Sequence, residues 1–197
     1  MPKRLKKELN IMVDEKEGHL YLGDKKKDLK LLMLRPLDII EFSEFAGTNA
    51  DDILIWVGKS LGKEFMVKFF YNKDWTNETM ATRKEVLLGS LEALELMGYG
   101  HITCKFRKNH ILLEVEDSLA CEESDNIMAK NLCLLYQGIF SGLFEILRMD
   151  VDGEEIACAL LEAEKCTYKF DFIGGEFEDS LIDQESEQNV SEFLSTL

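Results

Sequence analysis

Three cysteines and one glutamate are spaced so that they could supply four ligands to a metal ion. Glu155 and Cys158 form the pattern Glu-x-x-Cys, Cys166 follows after seven intervening residues, and Cys133 lies further upstream. Thiolates and carboxylates are ligands of Zn²⁺, and four protein ligands complete a closed tetrahedral site. Such a site stabilises a fold, whereas a catalytic zinc keeps one position open. The four residues therefore indicate a structural zinc site as one interpretation.

A second interpretation is that the three cysteines are small core residues, because free cysteine is commonly buried. On spacing alone this is the more frequent outcome. The zinc interpretation also carries a geometric condition, since positions i and i+3 of a regular strand point to opposite faces. Glu155 must therefore precede the strand, or a β-bulge must turn it towards Cys158. Glu154 is the competing carboxylate.

The elements that must position these residues follow from hydrophobic periodicity. Apolar residues at helical spacing predict helices from Asn49 to about Phe70, from Thr79 or Thr82 to Gly98, and over 126–147, the last capped by Ser124 or Asp125. Alternating patterns predict strands at 19–22, 100–106, 111–116, 155–161 and 167–172. The connections between the strands are too short for parallel crossovers. The pattern therefore predicts an α+β fold with an antiparallel sheet packed against helices.

The chain divides by composition into three parts. The parts are 1–40, whose first thirty residues are polar and Lys-rich, 41–173, with the predicted helices and the two strand pairs, and 174–197, with seven acidic residues and no basic ones. The last part is expected to be an acidic tail. The first part is expected to be an arm that dimerises, because pairing across a twofold axis would cover its apolar residues Leu20, Leu22, Leu29, Leu31, Leu32 and Leu34.

Charge and length exclude several classes of protein. The formal net charge is −15 and the pI about 4.7, which argues against direct nucleic-acid binding and against docking on anionic membranes. The longest uncharged stretch, 131–144, has 14 residues, whereas a membrane span needs about 20. We therefore expect no membrane insertion. With an odd number of cysteines, five, and no apolar leader, a cytoplasmic location is expected.

Three sequence segments resemble the V4R family, also called the vinyl-4-reductase domain. They are Cys-Leu-Leu-Tyr-Gln-Gly-Ile-Phe-Ser-Gly-Leu-Phe at 133–144, Gly-Glu-Glu-Ile-Ala-Cys at 153–158, and Cys-Thr-Tyr-Lys-Phe at 166–170. A fourth, Val-Glu-Asp-Ser-Leu-Ala at 115–120, resembles the short strand motif that precedes the family's Cys-containing helix. Tyr168 stands where the family has phenylalanine. The resemblance is specific over residues 100–173.

The resemblance implies both a fold and a function. The fold is the ligand-binding fold shared with haem nitric-oxide sensors and a Golgi-transport tethering subunit, and it is usually dimeric. The implied function is binding or sensing of a small hydrophobic molecule. Zinc is implied as the cofactor, with Cys133, Glu155, Cys158 and Cys166 matching the four ligands of the family's phenol sensors. The His and Trp with which those sensors hold phenol have no matching positions here.

Two alternative functions remain open. One is a vinyl reductase-type enzyme, although no dinucleotide fingerprint, Gly-rich phosphate loop or acid–base pair is visible in the sequence, so that binding is favoured over catalysis. The other is a lipid-holding interaction subunit that resembles the Golgi-transport relatives. An apolar cavity is expected between helices and sheet, and candidate lining residues are Phe106, Tyr136, Phe140, Phe144, Tyr168 and Phe170. Each of them could equally be ordinary core.

Overall fold

The computed structural model describes residues 11–16, 19–22, 29–65, 73–121, 126–173 and 176–183. The helices are α1 (Pro36–Ala46), α2 (Ala50–Phe65), α3 (Met80–Leu96) and α4 (Asn131–Ile146). The strands are β1 (Ile11–Asp14), β2 (His19–Leu22), β3 (Leu29–Leu31), β4 (His101–Phe106), β5 (His110–Glu116), β6 (Val151–Ala157) and β7 (Cys166–Phe172).

The main sheet has four antiparallel strands in the order β4-β5-β7-β6. Strands β1, β2 and β3 form a separate antiparallel sheet. The two hairpins β4–β5 and β6–β7 thus join through the β5–β7 pairing, with Val115 opposite Cys166. The predicted α+β class, an antiparallel sheet packed against helices, is confirmed.

One face of the four-stranded sheet forms the core. Its buried side chains alternate along each strand, as expected for a sheet with a single covered face: Ile102, Cys104 and Phe106 on β4, Ile111, Leu113 and Val115 on β5, and Cys166, Tyr168 and Phe170 on β7. Helix α4 lies against this face and is buried on most sides. A helix that is apolar nearly all round, as the sequence shows over 131–144, is expected to be covered on most sides, and this expectation is confirmed.

Helices α2 and α4 approach each other through glycines. A Cβ atom on Gly58 of α2 would meet the Leu135 carbonyl oxygen and lie 2.9 Å from the Cα of Gly138. A Cβ on Gly142 of α4 would lie 3.0 Å from the Cα of Lys59. The spacing of Gly138 and Gly142, four residues apart on one face of the helix, predicts either close helix–sheet packing or room for a ligand. They instead permit helix–helix contact at a distance that excludes any side chain.

Two helix beginnings illustrate where local signals succeed or fail. The Thr79 hydroxyl accepts a hydrogen bond from the Thr82 N–H and caps α3, as predicted. Helix α1 has no counterpart among the predicted helices, because a proline after the apolar segment 29–34 also fits the end of an element. Pro36 is in fact the first helical residue, a position where its missing N–H costs nothing, and Asp38 accepts from the Arg35 N–H. The caps expected for α4, Ser124 and Asp125, lie outside the described residues.

Strand β6 differs from its prediction. The strand was expected at 155–161 but spans Val151–Ala157, and Ala159–Leu161 form a 3₁₀ turn. The apolar run after Cys158 looked like a continuing strand. It turns instead, and the chain reverses through Glu162, which has a left-handed backbone with φ 69°.

The segment 176–183 packs on the sheet. Phe177 is buried, with its ring 5.4 Å from that of Phe106 and 4.6 Å from that of Phe172. The Asp183 carboxylate accepts hydrogen bonds from the Phe106 N–H and the Lys84 ammonium group. These residues fall within the stretch 174–197 that was expected to be a tail, and residues 184–197 lie outside the described part of the chain. The three-part division of the chain stays a prediction.

Among the helices of the described residues, none combines the length and the apolar character needed to cross a bilayer.

The glycine contact gives a matched pair of substitutions. We expect Gly58→Ala to lower the free energy of unfolding by about 2–3 kcal/mol, because the added methyl group meets backbone that cannot move aside cheaply. Gly89 lies in α3 with open space around its Cα. Gly89→Ala should raise the free energy of unfolding by up to about 1 kcal/mol, since alanine is the better helix former. Urea denaturation measures the free energy of unfolding of both variants. Equal effects of the two substitutions would contradict the close contact between α2 and α4.

Candidate metal centre

The structure brings the four predicted ligands together. Cys133 lies in the first turn of α4, Glu155 lies on β6, Cys158 directly follows that strand, and Cys166 begins β7. One ligand atom from each lies within 4.8 Å of all the others. The cluster therefore joins a helix to two neighbouring strands at the boundary of the core.

A β-bulge in β6 turns Glu155 and Cys158 to the same face. Glu155 pairs with Tyr168 while Ala157 pairs with Thr167, so that Ile156 is an extra residue in the ladder. Ile156 is 52% exposed. The bulge shifts the alternation of side chains between the two faces of the strand by one residue. Glu155 and Cys158 therefore point to the same face, as a shared metal site requires. Glu154, the competing carboxylate, pairs with Lys169 on the outer face and is exposed.

The sulfur separations fit a tetrahedral ion. The Sγ of Cys133 lies 3.6 Å from that of Cys158 and 4.0 Å from that of Cys166. Two thiolates on a tetrahedral zinc, each about 2.3 Å from the metal, lie about 3.8 Å apart. All three cysteines are free thiols and buried. The two sulfur–sulfur distances therefore lie just below and just above the distance that a shared zinc ion requires.

Glu155 supplies the observation that distinguishes a metal site from a simple core. Its Oε1 atom is buried and has no hydrogen-bond partner in the described part of the chain. Burying a carboxylate oxygen without a partner costs free energy, and the usual compensation is a hydrogen bond or a cation. Three core cysteines alone give no reason to bury this oxygen.

Backbone N–H groups point at two of the sulfurs. The Ala159 N–H lies 3.5 Å from the Cys166 Sγ, and the Leu160 N–H bonds to Cys158. Three thiolates and one carboxylate around Zn²⁺ would leave a net charge of −2, and such donors reduce its cost. The Lys165 ammonium group does not offset this charge, because it forms ion pairs with Glu114 and Glu116.

The three thiols differ in acidity. A hydrogen bond from the Cys133 thiol lowers the pKa of Cys166 to about 7. The same hydrogen bond, together with burial, raises the pKa of Cys133, and burial raises the pKa of Cys158 to about 11. Cys166 is therefore the most acidic of the three thiols.

The histidines of β4 and β5, the two tryptophans and the other two cysteines are not among the four residues of the cluster. His101 contacts Glu95 at the start of β4, and His110 contacts Asn109 at the start of β5. Burial lowers the pKa of His110. Cys104 is buried on β4, and Cys121 is half-buried beside Ser118. Trp56 is exposed and Trp75 is buried.

The aromatic residues expected to line a cavity fill the core. They are each no more than 1% exposed: Phe106, Tyr136, Phe140, Phe144, Tyr168 and Phe170. Rings pack edge to face, with Phe140 5.2 Å from Tyr168, and Phe144 lies 4.7 Å from Phe170. These residues occupy the space between α4 and the sheet where an apolar cavity was expected.

A cleft of about 490 Å³ opens instead between α2, α4 and β6. Its apolar lining residues include Ile55, Phe144 and Met149, and its charged ones include Lys59 and Arg148. Gln137, one helical turn after Cys133, and Gly153, two residues before Glu155, also line it. The Gln137 amide donates a hydrogen bond of 2.9 Å to the Gly153 carbonyl. The cleft therefore shares the elements that carry the cluster.

Sequence reasoning did not assign a role to Ser118 or to Gly58 and Gly62. The serine was noted only as part of a motif, although a serine between a strand and a Cys-bearing helix is a possible sulfur neighbour. The spacing Gly58-x-x-x-Gly62 on α2 matches that of Gly138 and Gly142 on α4. Two glycine pairs with the same four-residue spacing, one in each of two predicted helices, are the sequence feature that could have predicted close packing of these helices.

No family model matches the chain, and no curated protein matches it. Several solved structures share its fold. The phenol-responsive sensory domain of the transcription activator PoxR, crystallised with phenol, aligns with a TM-score of 0.61 at 14% identity over 86% of this chain and 87% of that one.

Two H-NOX structures from Shewanella oneidensis are also similar. A crystal structure in the Fe(II)NO state aligns with a TM-score of 0.52 at 11% identity, over 77% of this chain and 83% of that one. An NMR structure of a mutant in the Fe(II)CO state aligns with a TM-score of 0.51 at 12% identity, over 76% and 83%. At these identities the likeness is one of fold, and the chain has the fold of the PoxR sensory and H-NOX domains.

Proposed function

We propose that this protein binds or senses a small hydrophobic molecule and carries a structural zinc ion, as a member of the V4R family. The observation that carries the proposal is the cluster of Cys133, Glu155, Cys158 and Cys166, with its unpartnered buried carboxylate oxygen. The similarity in fold to the phenol-responsive domain of PoxR supports the ligand-binding part. The segments that resemble the family lie on the elements that meet at the cluster.

Zinc would contribute to stability at a specific junction. A bound ion would hold the beginning of α4 against the β6–β7 hairpin, and the thiols would give up protons on binding it. Haem ligation through histidine has less support. All three histidines of the chain, His19, His101 and His110, lie on strands outside the aromatic core.

The first prediction for function concerns the metal and its contribution to stability. Protein purified without chelators should contain about one zinc ion per chain by elemental analysis. Cys158→Ser should lower the free energy of unfolding by roughly 3–5 kcal/mol, because it removes a ligand from a closed site. Cys121→Ser, outside the cluster, should change it by less than about 0.5 kcal/mol. A fully folded, metal-free protein with equal effects of both substitutions would contradict the proposal.

The cleft between α2, α4 and β6 is the proposed place for the ligand. Its lining combines apolar residues, such as Ile55 and Val151, with charges of both signs, among them Lys59, Arg148 and Asp152. Its volume falls within the usual range for small-molecule sites, about 300–1,000 Å³. This mixed lining suits a small ligand that carries polar groups beside its apolar part.

A second prediction tests the cleft. Native mass spectrometry should reveal a retained small molecule, and monocyclic aromatic compounds should raise the melting temperature of the stripped protein. Ser141→Phe places a ring in the cleft and should abolish this shift without changing the zinc content. Ala81→Phe, at an exposed position of α3, is the control and should retain it. A co-purified fatty acid unaffected by added aromatics would instead support the lipid-holding alternative.

We also propose that the protein is a homodimer. The chain exposes large apolar side chains just after β3 and on α1: Leu32, Met33, Leu34, Phe42 and Phe45. Phe45 is 92% exposed. Monomeric proteins rarely expose large contiguous apolar patches, and a twofold contact covers the same surface on both chains.

The third prediction for function tests this dimer. Phe45→Glu should convert the dimer to a monomer, because a carboxylate would have to be buried in an apolar contact. Leu96→Glu, at an exposed position at the end of α3, should leave the dimer intact. Light scattering measures the mass of both variants and of a chain lacking residues 1–34. A Phe45→Glu protein that remains dimeric would place the interface elsewhere.

A further inference from the structure

Ser118 is a buried polar residue next to the cysteine cluster. It follows β5, is 1% exposed, and its Oγ lies 4.0 Å from the Cys166 Sγ and 3.5 Å from the Cys121 Sγ. Within the described ranges, these two sulfurs are the hydrogen-bond partners of its hydroxyl. A buried hydroxyl requires an acceptor, so the proton of Ser118 must point to one of them.

The two sulfurs are not equivalent acceptors. A neutral thiol accepts hydrogen bonds weakly, whereas a thiolate accepts a charge-assisted and stronger one. Cys166 is fully buried and already receives the Ala159 N–H, while Cys121 is only half-buried. Burial removes the water that would otherwise stabilise a charge on Cys166. A hydrogen-bond donor is therefore needed more at the Cys166 sulfur than at the Cys121 sulfur.

Helix α4 holds Ser118 in place through the next residue. The Leu119 N–H donates a 3.0 Å hydrogen bond to the Tyr136 hydroxyl, which donates in turn to the Tyr99 carbonyl at 2.9 Å. Tyr136 lies three residues after Cys133 on the same helix. The helix that carries one cluster thiol thus also fixes the backbone that carries the serine.

We propose that Ser118 is a positioning residue of the metal centre and that its hydroxyl donates to the metal-bound Cys166 thiolate. The inference rests on the proposed metal site and extends it to a fifth residue, from a segment that supplies no ligand. Hydrogen bonds to a ligand orient it and tune its basicity, and their loss typically weakens metal binding 10–100-fold.

The test uses the full chain with Zn²⁺ and Co²⁺ as probes. Zinc affinity is measured by competition with a chromophoric chelator for the wild type and for Ser118→Ala, Cys121→Ala and Ser90→Ala. Ser90 is a buried serine bonded to the Val86 carbonyl in α3. Ser118→Ala should bind zinc about 10–100-fold more weakly, while Cys121→Ala and Ser90→Ala should bind it as the wild type does.

Cobalt supplies a readout that a merely structural role would not change. Removing a hydrogen bond from a thiolate raises the energy of its lone pairs. The thiolate-to-cobalt charge-transfer band of Ser118→Ala should therefore move to lower energy than that of the wild type. If Ser118→Ala does not fold, Ser118→Thr and Ser118→Val form the comparison, because they are similar in shape and differ in the hydroxyl. The threonine variant should then bind zinc more tightly than the valine variant.

The outcomes separate the two proposals. A wild type that binds neither ion overturns the metal site and this inference with it. A wild type that binds both, with unchanged affinity and band in Ser118→Ala, overturns the role of Ser118 alone. An equal loss of affinity in Cys121→Ala shows that the hydroxyl serves Cys121 and overturns the inference as well.

Discussion

The position of α4 between α2 and the sheet is the constraint on which the rest of the structure depends. One face of the helix carries Gly138 and Gly142, where the α2 backbone comes so close that no side chain fits. The other face presents Cys133 and the aromatic residues to β7. The helix cannot shift towards either neighbour without a clash or a cavity. The Cys133 sulfur is therefore held at a fixed distance from the sulfurs of Cys158 and Cys166.

The bulge at Ile156 is the matching device on the sheet. A regular strand would point Glu155 and Cys158 to opposite faces, whereas the extra residue brings both to the face that α4 covers. The exposed Ile156 side chain is the cost of this arrangement. A bulge that buries a carboxylate oxygen and exposes an isoleucine works against the hydrophobic effect. Such a reversal is expected at functional sites, where local rules give way to a binding requirement.

Much of this arrangement could be predicted from the sequence, because its signals are local. Alternation predicts β4 and β5, and the Glu-x-x-Cys spacing predicts that a bulge must accompany a shared ligand set. Helix α1 was missed because Pro36 serves equally as a stop and as a first helical residue. Ala159–Leu161 was misassigned because a short apolar run carries no period that separates strand from turn. The glycine contact and the burial of Ser118 depend on two distant segments, which local patterns do not pair.

The cluster and the cleft share a structural link. Gln137 follows Cys133 by one helical turn, and its amide bonds to the carbonyl of Gly153, two residues before Glu155. A change in the spacing between α4 and β6 must therefore alter the cleft lining and the four ligand atoms together. If a ligand in the cleft favours the spacing that a bound ion favours, each raises the affinity of the other by the same factor. A bound ion that held α4 against the β6–β7 hairpin would thus also set the shape that the cleft offers to a ligand.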